Sequence, residues 1–281
     1  MPDGKPWTCP SCSVAVATPY CAMCGEEPVA AADLTLRGLA AKVLHAFTSI
    51  DARTARSARL LLRRPGALTV AWTSGIRRPY VAPFQLFLIA NVIFFAVQWA
   101  VGENVFSSTL ESHLHHQDWS ELAQAAVAAR LQALNLTLDQ YEPRFDRAVV
   151  LYAKSLILLM ALVFALFLPL AFLRERRPFM THVVYSLHLY TFLLLLFCLA
   201  LLAARLSAWL GYGGLQTATV DNVLSVVNLA ACAAYLHLAS RPVYGATGAR
   251  RVLTTVLLAM AAAAIAIGYR FALLYITLHL A

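Results

Sequence analysis

Long apolar runs alternate with polar connections along the chain after residue 80. Each run has about 20 residues or more, the length that a helix needs to cross the hydrocarbon core of a bilayer, about 30 Å thick. A helix satisfies its backbone hydrogen bonds internally, whereas a single strand in lipid would not. The pattern therefore predicts an all-α polytopic membrane protein with five transmembrane helices. Their predicted ranges are residues 83–101, 149–173, 183–210, 220–239 and 252–273.

A second pattern precedes the first span. Apolar residues recur at steps of three and four over residues 36–50, arginines follow at similar steps, and Pro65 and Gly66 end the pattern. This predicts a juxtamembrane amphipathic helix with a basic end. The helix lies either on anionic lipid or against the cytoplasmic ends of the protein's own spans. In the first case the candidate lipid-headgroup contacts are Arg53, Arg56, Arg59, Arg63 and Arg64.

The arginines between the predicted spans indicate an orientation. They cluster before the first span, at residues 174–177 and at residues 241–251, which all fall on one side of a five-span path. The connections on the other side, residues 102–148 and 211–219, are rich in acidic residues or uncharged. By the positive-inside rule the arginine side is cytoplasmic. No signal peptide is visible at the N-terminus, so we expect a cytoplasmic N-terminus and a C-terminus outside.

Composition excludes an ordinary soluble domain. Hydrophobic residues make up 60% of the 281 residues and charged residues only 13%, whereas about a quarter of the residues of a globular domain are charged. The net charge of +8 comes from arginines beside apolar runs. It does not form a basic domain with base-stacking aromatic residues, so membrane lipids rather than nucleic acid are the expected partners.

Four cysteines near the N-terminus form two C-x-x-C pairs with an eight-residue spacer: Cys9, Cys12, Cys21 and Cys24. In a reducing cytoplasm disulfides are disfavoured, and this spacing is typical of a zinc ribbon in which four thiolates bind one structural Zn²⁺. The alternative is a redox dithiol, but no βαβ pattern surrounds the pairs. A closed set of four ligands leaves no position for substrate. The expected role is therefore structural, or docking of a cytoplasmic protein or a second copy of the chain.

The chain thus divides into three predicted domains. Residues 1–28 form the zinc ribbon, and residues 29–79 form a linker and the basic amphipathic helix. Residues 80–281 form the five-span transmembrane domain, with an outer loop at 102–148.

Three motifs resemble a known family. They are the turn Arg64-Pro65-Gly66, the segment Gly75-x-Arg77-x-x-Tyr80-x-x-Pro83 before the first span, and the pair His182-x5-His188. Together with the N-terminal cysteine pairs they are similar to a bacterial zinc-ribbon membrane protein family of unknown function, numbered 3667. The resemblance implies a polytopic protein of the bacterial inner membrane and implies no activity.

Polar residues within the spans are candidates for an intramembrane site, because ionisable groups there usually face the interior of a bundle. The candidates are His182, Tyr185 and His188 in the third span and His237 in the fourth. Antiparallel neighbours would bring them to one groove, where imidazole can bind protons or metal. Hydrogen bonding between helices is the alternative role. Outside the spans, His113, His115 and His116 are expected to be solvated.

Three classes of function follow from these features. The first is a transport or lipid-handling component whose zinc ribbon is a docking module. The second is a non-catalytic membrane scaffold or regulator. The third is an intramembrane enzyme that uses the histidines, and it is less favoured because no nucleophile elbow, P-loop, dinucleotide fingerprint or metalloprotease helix is present.

Overall fold

A computed structural model describes residues 6–9, 12–18, 20–24, 52–102, 108–115, 117 and 119–280. The apolar pattern over residues 36–50 lies outside these ranges. The chain forms two compact units, Met1–Arg53 and Thr54–Ala281.

The N-terminal unit contains a two-stranded antiparallel hairpin. Its strands are β1 (Trp7–Thr8) and β2 (Ala15–Val16), with Trp7 opposite Val16. Cys9 directly follows β1, and its backbone N–H donates to the Val14 carbonyl at 2.9 Å. Two-residue strands bury very little apolar surface, so this hairpin needs additional stabilisation.

The second unit is helical. The helices are α1 (residues 52–63), α2 (Ala67–Thr73), α3 (Pro83–Val101), α4 (Leu110–His115), α5 (Ser120–Leu134), α6 (Leu138–Ala171), α7 (Phe179–Trp209), α8 (Ala218–Tyr244) and α9 (Gly248–Leu280). Two short 3₁₀ turns, Leu173–Glu175 and Gly214–Gln216, lie in the connections.

The membrane-spanning character predicted from the apolar runs is confirmed. Within the described ranges, α3, α7, α8 and α9 are each long and apolar enough to cross a membrane. The two halves of α6 meet at an angle of 50°, and they supply a fifth crossing if they count as one span. The protein is therefore a multi-pass helical membrane protein with four or five spans.

Helix α6 begins well before the predicted second span. Thr137 and Gln140 form a capping box at its start, in which the Gln140 side chain accepts from the Thr137 backbone N–H at 3.2 Å. The first turns are polar, so hydropathy alone places the beginning of the helix too late.

Helix α7 is the most buried of the four apolar helices. It packs against α3, α6 and α8, and α9 packs against α6 and α8. The short helix α2 contacts both α7 and α8. The buried residues of these helices form one continuous core.

The connections that contain the clustered arginines lie at one end of the helical unit, which we call the arginine end. Glu175, after α6, accepts two hydrogen bonds from the Arg250 guanidinium at the start of α9, at 2.6 and 3.0 Å. The turn at Gly66, between α1 and α2, lies against Ala239 and Pro242 of α8. Three separate connections therefore meet at this end.

The opposite end, which we call the loop end, is covered by α4 and α5. Trp119, before α5, contacts Phe271 of α9 with ring centroids 5.7 Å apart. The Tyr141 hydroxyl, in α6, donates to the Leu278 carbonyl at 3.3 Å. The C-terminal end of α9 thus lies on the side of the predicted outer loop. Which end faces the cytoplasm stays a prediction.

Helix α1 has two different faces. Ser57 and Leu61 are buried, and the Ser57 hydroxyl accepts from the Val81 backbone N–H at 3.0 Å. A small cavity of about 50 Å³ lies between Leu61, Leu86 of α3 and Thr191 of α7. Helix α1 therefore packs on the protein's own helices, whereas the apolar residues of the predicted amphipathic helix lie outside the described ranges. Its candidate headgroup contacts, which are all exposed, are Arg53, Arg56, Arg59, Arg63 and Arg64.

Candidate functional site

The four N-terminal cysteines are close enough to share a metal ion. The sulfur atoms of Cys9 and Cys24 are 3.4 Å apart, as are those of Cys12 and Cys21, and all four lie within 4.8 Å of one another. Four sulfurs at about 2.3 Å from a tetrahedral ion would be roughly 3.8 Å apart. These distances fit a metal-bound set and are too long for disulfide bonds, which are about 2.0 Å.

The electrostatics differ between the cysteines. The pKa of Cys12 is raised, because the lowering by the Val14 backbone is outweighed by hydrogen bonds with the Cys21 and Cys9 side chains and by desolvation. Hydrogen bonds from the backbone of Cys24 lower the pKa of Cys21 to about 7, and the backbone of Met23 contributes in the same direction. Metal binding requires deprotonated thiols. The cysteine group therefore has the ligand number and spacing of a candidate metal centre.

The predicted intramembrane residues have separate partners. His182 Nδ1 shares a hydrogen bond of 2.9 Å with the Tyr244 hydroxyl, and the two rings are stacked. Tyr244 also stacks on Phe172 with ring centroids 3.9 Å apart, and Tyr185 meets the Tyr244 ring edge-on. His182 and Tyr185 are thus brought together around Tyr244 near the arginine end.

His188 binds α2 instead. Its Nδ1 lies 2.8 Å from the Thr69 hydroxyl, and both residues are buried. The Nε2 atom is buried and has no hydrogen-bond partner within the described residues. This hydrogen bond ties α2 to the central helix α7.

His237 lies on α8 and faces α9. Its Nδ1 is 3.4 Å from the Thr255 hydroxyl, and its carbonyl accepts from Arg251 Nε at 2.7 Å. Among the described residues, the cysteine group is the one set of three or more His, Cys, Asp or Glu side chains close enough to share a metal ion. The histidines therefore form three different interhelical contacts in this structure, and a role in function stays a prediction.

A cavity of about 390 Å³ lies between α6, α7, α8 and α9, and we call it the intramembrane cavity. Its inner wall includes buried Leu194 and Cys232, whereas Leu229 and Ile267 at its edge are largely exposed. The cavity therefore opens on the apolar surface of the bundle. The complete lining is Ile157, Met160, Tyr190, Leu193, Leu194, Phe197, Ser225, Asn228, Leu229, Cys232, Ala259, Ala262, Ala263, Ala266 and Ile267.

Small side chains on two facing helices explain the cavity. Helix α9 contributes four alanines at steps of three, one and three, and α8 contributes Ser225, Asn228 and Cys232 at steps of three and four. Each set lies along one helical stripe. At the arginine end, His237 of α8 contacts Thr255 of α9. Beside the small residues, no described side chain fills the space between the two helices.

Tyr190, on the α7 wall of the cavity, has an unpaired polar group. The residue is 4% exposed, and its hydroxyl has no hydrogen-bond partner within the described part of the chain. A buried hydroxyl without a partner is unfavourable by about 1–3 kcal/mol. A ligand with a hydrogen-bonding group would satisfy it.

One prediction for the outer loop is wrong. His113 is fully buried in α4 rather than solvated, and its Nδ1 accepts from Trp119 Nε1 at 3.3 Å. The neutral ring therefore has its proton on Nε2, which has no partner among the described residues. Burial lowers the pKa of His113 to about 4, and the positive charge of Arg270 acts in the same direction. His115 is exposed, and His116 lies outside the described residues.

The fold and these sites define a multi-pass α-helical membrane protein with a candidate metal centre of four cysteines. Residues 51–95 match the model of a family described as a protein of unknown function (DUF3667). The match confirms the predicted resemblance over α1, α2 and most of α3, including the Gly66 turn and Thr69. No curated protein and no solved structure matches the chain.

The sequence interpretation missed the intramembrane cavity. A signal for it is present, because Ser225, Asn228 and Cys232 repeat on one face of a predicted span, and alanines repeat in the next span. Small and polar residues in spans usually allow helices to approach closely. That they line a cavity here becomes visible only when the distance between the helices is known.

Proposed function

We propose that this protein is a lipid-handling or transport component of the bacterial inner membrane, and that it holds a lipid chain in the intramembrane cavity. In this proposal the N-terminus lies in the cytoplasm, where the cysteine group binds Zn²⁺ and serves as a docking module. The docking partner is a cytoplasmic protein or a second copy of the chain.

The intramembrane cavity is the observation on which this function depends. Its volume of about 390 Å³ lies within the range of small-molecule sites, about 300–1,000 Å³. It is located in helices that are long and apolar enough to cross a membrane, and it opens beside the exposed side chains of Leu229 and Ile267. Lipid chains are the molecules present in the membrane at this position.

A scaffold or regulator is the second candidate, and the exposed arginine face of α1 favours it. The buried face of α1 is fixed on α3 and α7, so the arginines on its other face are held in position. Each basic residue near an anionic surface contributes about 1 kcal/mol to membrane attraction. A scaffold that acts only through the arginine face of α1 would not need the intramembrane cavity. The enzyme class receives less support, because each histidine has its own interhelical partner.

The test places a larger side chain in the intramembrane cavity. Ala262 lines it and is 7% exposed, whereas Ala264, on the same helix, is exposed on the outer surface. Full-length protein in phosphatidylcholine nanodiscs is irradiated with a diazirine derivative of hexadecanol, and the labelled peptides are identified by mass spectrometry. We expect labelling of the cavity walls in the natural protein.

Ala262→Phe should reduce that labelling by roughly tenfold, because displacing two methylene groups costs about 1.6 kcal/mol. Ala264→Phe is the matched control and should leave it unchanged. Equal labelling of the cavity peptides in all three proteins would contradict the proposed function.

A further inference from the structure

Arg270 lies beyond the lined part of the intramembrane cavity, toward the loop end. It is on α9, one helical turn beyond Ala266, and therefore on the same face as the alanines that line the cavity. Its Nε and Nη2 atoms both donate to the Ser108 hydroxyl, at 3.2 and 2.9 Å. The guanidinium is thus held in place by a neutral group.

Among the described residues, Arg270 has no direct ion-pair partner. Within the described residues no carboxylate lies within 4.0 Å of its guanidinium; the ion pair seen there is that of Arg250 with Glu175. Asp221, exposed in the first turn of α8, acts on Arg270 electrostatically without such a contact. A guanidinium has five N–H donors arranged to bind carboxylate or phosphate oxygens.

Two buried donors are unpaired among the described residues. His113 is fully buried and close enough to Arg270 to be affected by its charge, and its Nε2–H has no acceptor in the described part of the chain. The Tyr190 hydroxyl on the cavity wall also has no partner there. Buried donors without acceptors are unfavourable. An oxyanion at Arg270 would supply an acceptor for His113, whereas Tyr190 lies about three helical turns nearer the arginine end.

We infer that the ligand of the intramembrane cavity is an anionic amphiphile, with a hydrocarbon chain between α8 and α9 and an oxyanion headgroup bound by Arg270 and Ser108. This inference rests on the proposed function and specifies its ligand class. The chain contacts the alanine stripe, and the headgroup binds where Ser108, just before α4, meets Arg270 of α9. A neutral lipid of the same chain length would use only the first of these contacts.

The experiment compares two probes with the same chain. Full-length protein in phosphatidylcholine nanodiscs is labelled with diazirine derivatives of hexadecyl phosphate and of hexadecanol. We expect the phosphate to label the cavity peptides about tenfold more strongly at equal concentration, equivalent to about 1.4 kcal/mol. In Arg270→Gln this preference should be lost while labelling by the alcohol is retained.

Two further variants make the result specific. Arg270→Lys keeps the charge without the guanidinium geometry and should retain part of the preference. Arg205→Gln is the matched control, because Arg205 is an exposed arginine of α7 and does not line the cavity; its preference should equal that of the natural protein. Retained alcohol labelling shows that Arg270→Gln is folded.

The inference is overturned if the natural protein labels equally with both probes, or if Arg270→Gln keeps the preference for the phosphate. In both cases alcohol labelling that still depends on Ala262 leaves the proposed function standing. If Ala262→Phe changes neither probe, the proposed function itself fails.

Discussion

The backbone of Gly66 has a φ of 84°, and an added Cβ atom would lie 2.8 Å from both the Ala239 carbonyl oxygen and Pro242 Cγ. Gly66→Ala should therefore destabilise the protein for two reasons. The left-handed backbone costs about 1–2 kcal/mol for a residue with a side chain, and the forced shift of α8 adds about 1–3 kcal/mol. The measurement is the thermal unfolding midpoint of purified protein in detergent.

Gly75 provides the matched control, because it also has a left-handed backbone. Its φ is 90°, but a Cβ atom there would meet nothing within 4 Å. Gly75→Ala should show the backbone cost alone and a smaller fall in the midpoint. Equal falls for the two variants would mean that the contact between the Gly66 turn and α8 does not contribute.

Individual intramembrane residues could be predicted as polar contacts, but their partners could not. His182 and His188 stand out in an apolar run, and both are buried and hydrogen-bonded. Their partners, Tyr244 and Thr69, lie 62 and 119 residues away in the sequence. No local pattern connects such pairs, because the pairing depends on which helices become neighbours.

At the scale of single elements, we expect the folding of the cysteine hairpin to depend on metal binding. Two strands of two residues cannot stabilise a fold, so metal binding must supply most of the folding free energy, on the order of 10 kcal/mol. Purified, reduced protein should contain one Zn²⁺ per chain, as measured by elemental analysis. Cys12→Ser or Cys21→Ser should release it and leave the spans inserted in the membrane.

Cys198→Ala is the control for this element. Cys198 is buried in α7, apart from the metal-ligand group, so zinc content should not change. Reduced protein prepared without chelator and found free of zinc would rule out the zinc ribbon.

Apolar run length predicted the spanning elements well, but it did not give the correct ends of two helices. The capping box at Thr137 starts α6 before its apolar half, and α9 extends to Leu280, beyond the predicted end at residue 273. The intramembrane cavity escaped prediction for another reason. It depends on the absence of large side chains on two helices at once, and hydropathy does not measure side-chain volume.

For the whole molecule, the open question is which end of the helical unit faces the cytoplasm. Ser74 follows α2 at the arginine end, Gln132 lies on α5 at the loop end, and both are exposed. By the positive-inside rule, a maleimide that cannot cross membranes should label Gln132→Cys in intact cells. It should label Ser74→Cys only after the cells are opened.

The natural protein is the control, because its own cysteines must show no added labelling in intact cells. The reverse pattern would place the arginine end outside. It would also place the cysteine group in an oxidising compartment if the N-terminus is on that side, and disulfides would then be favoured over zinc.

The hydrogen bond between Thr69 and His188 also has a consequence for synthesis. Thr69 leaves the ribosome 119 residues ahead of His188, which at about 5–20 residues per second is a delay of roughly 6–24 s. The contacts of Gly66 on α8 are completed later still. Helices α1 to α3 are therefore synthesised many seconds before the helices α7 and α8 that they contact. The segment that contains α1 to α3 can complete its packing only after α7 and α8 have been synthesised. During that interval its contact surfaces in the nascent chain are uncovered.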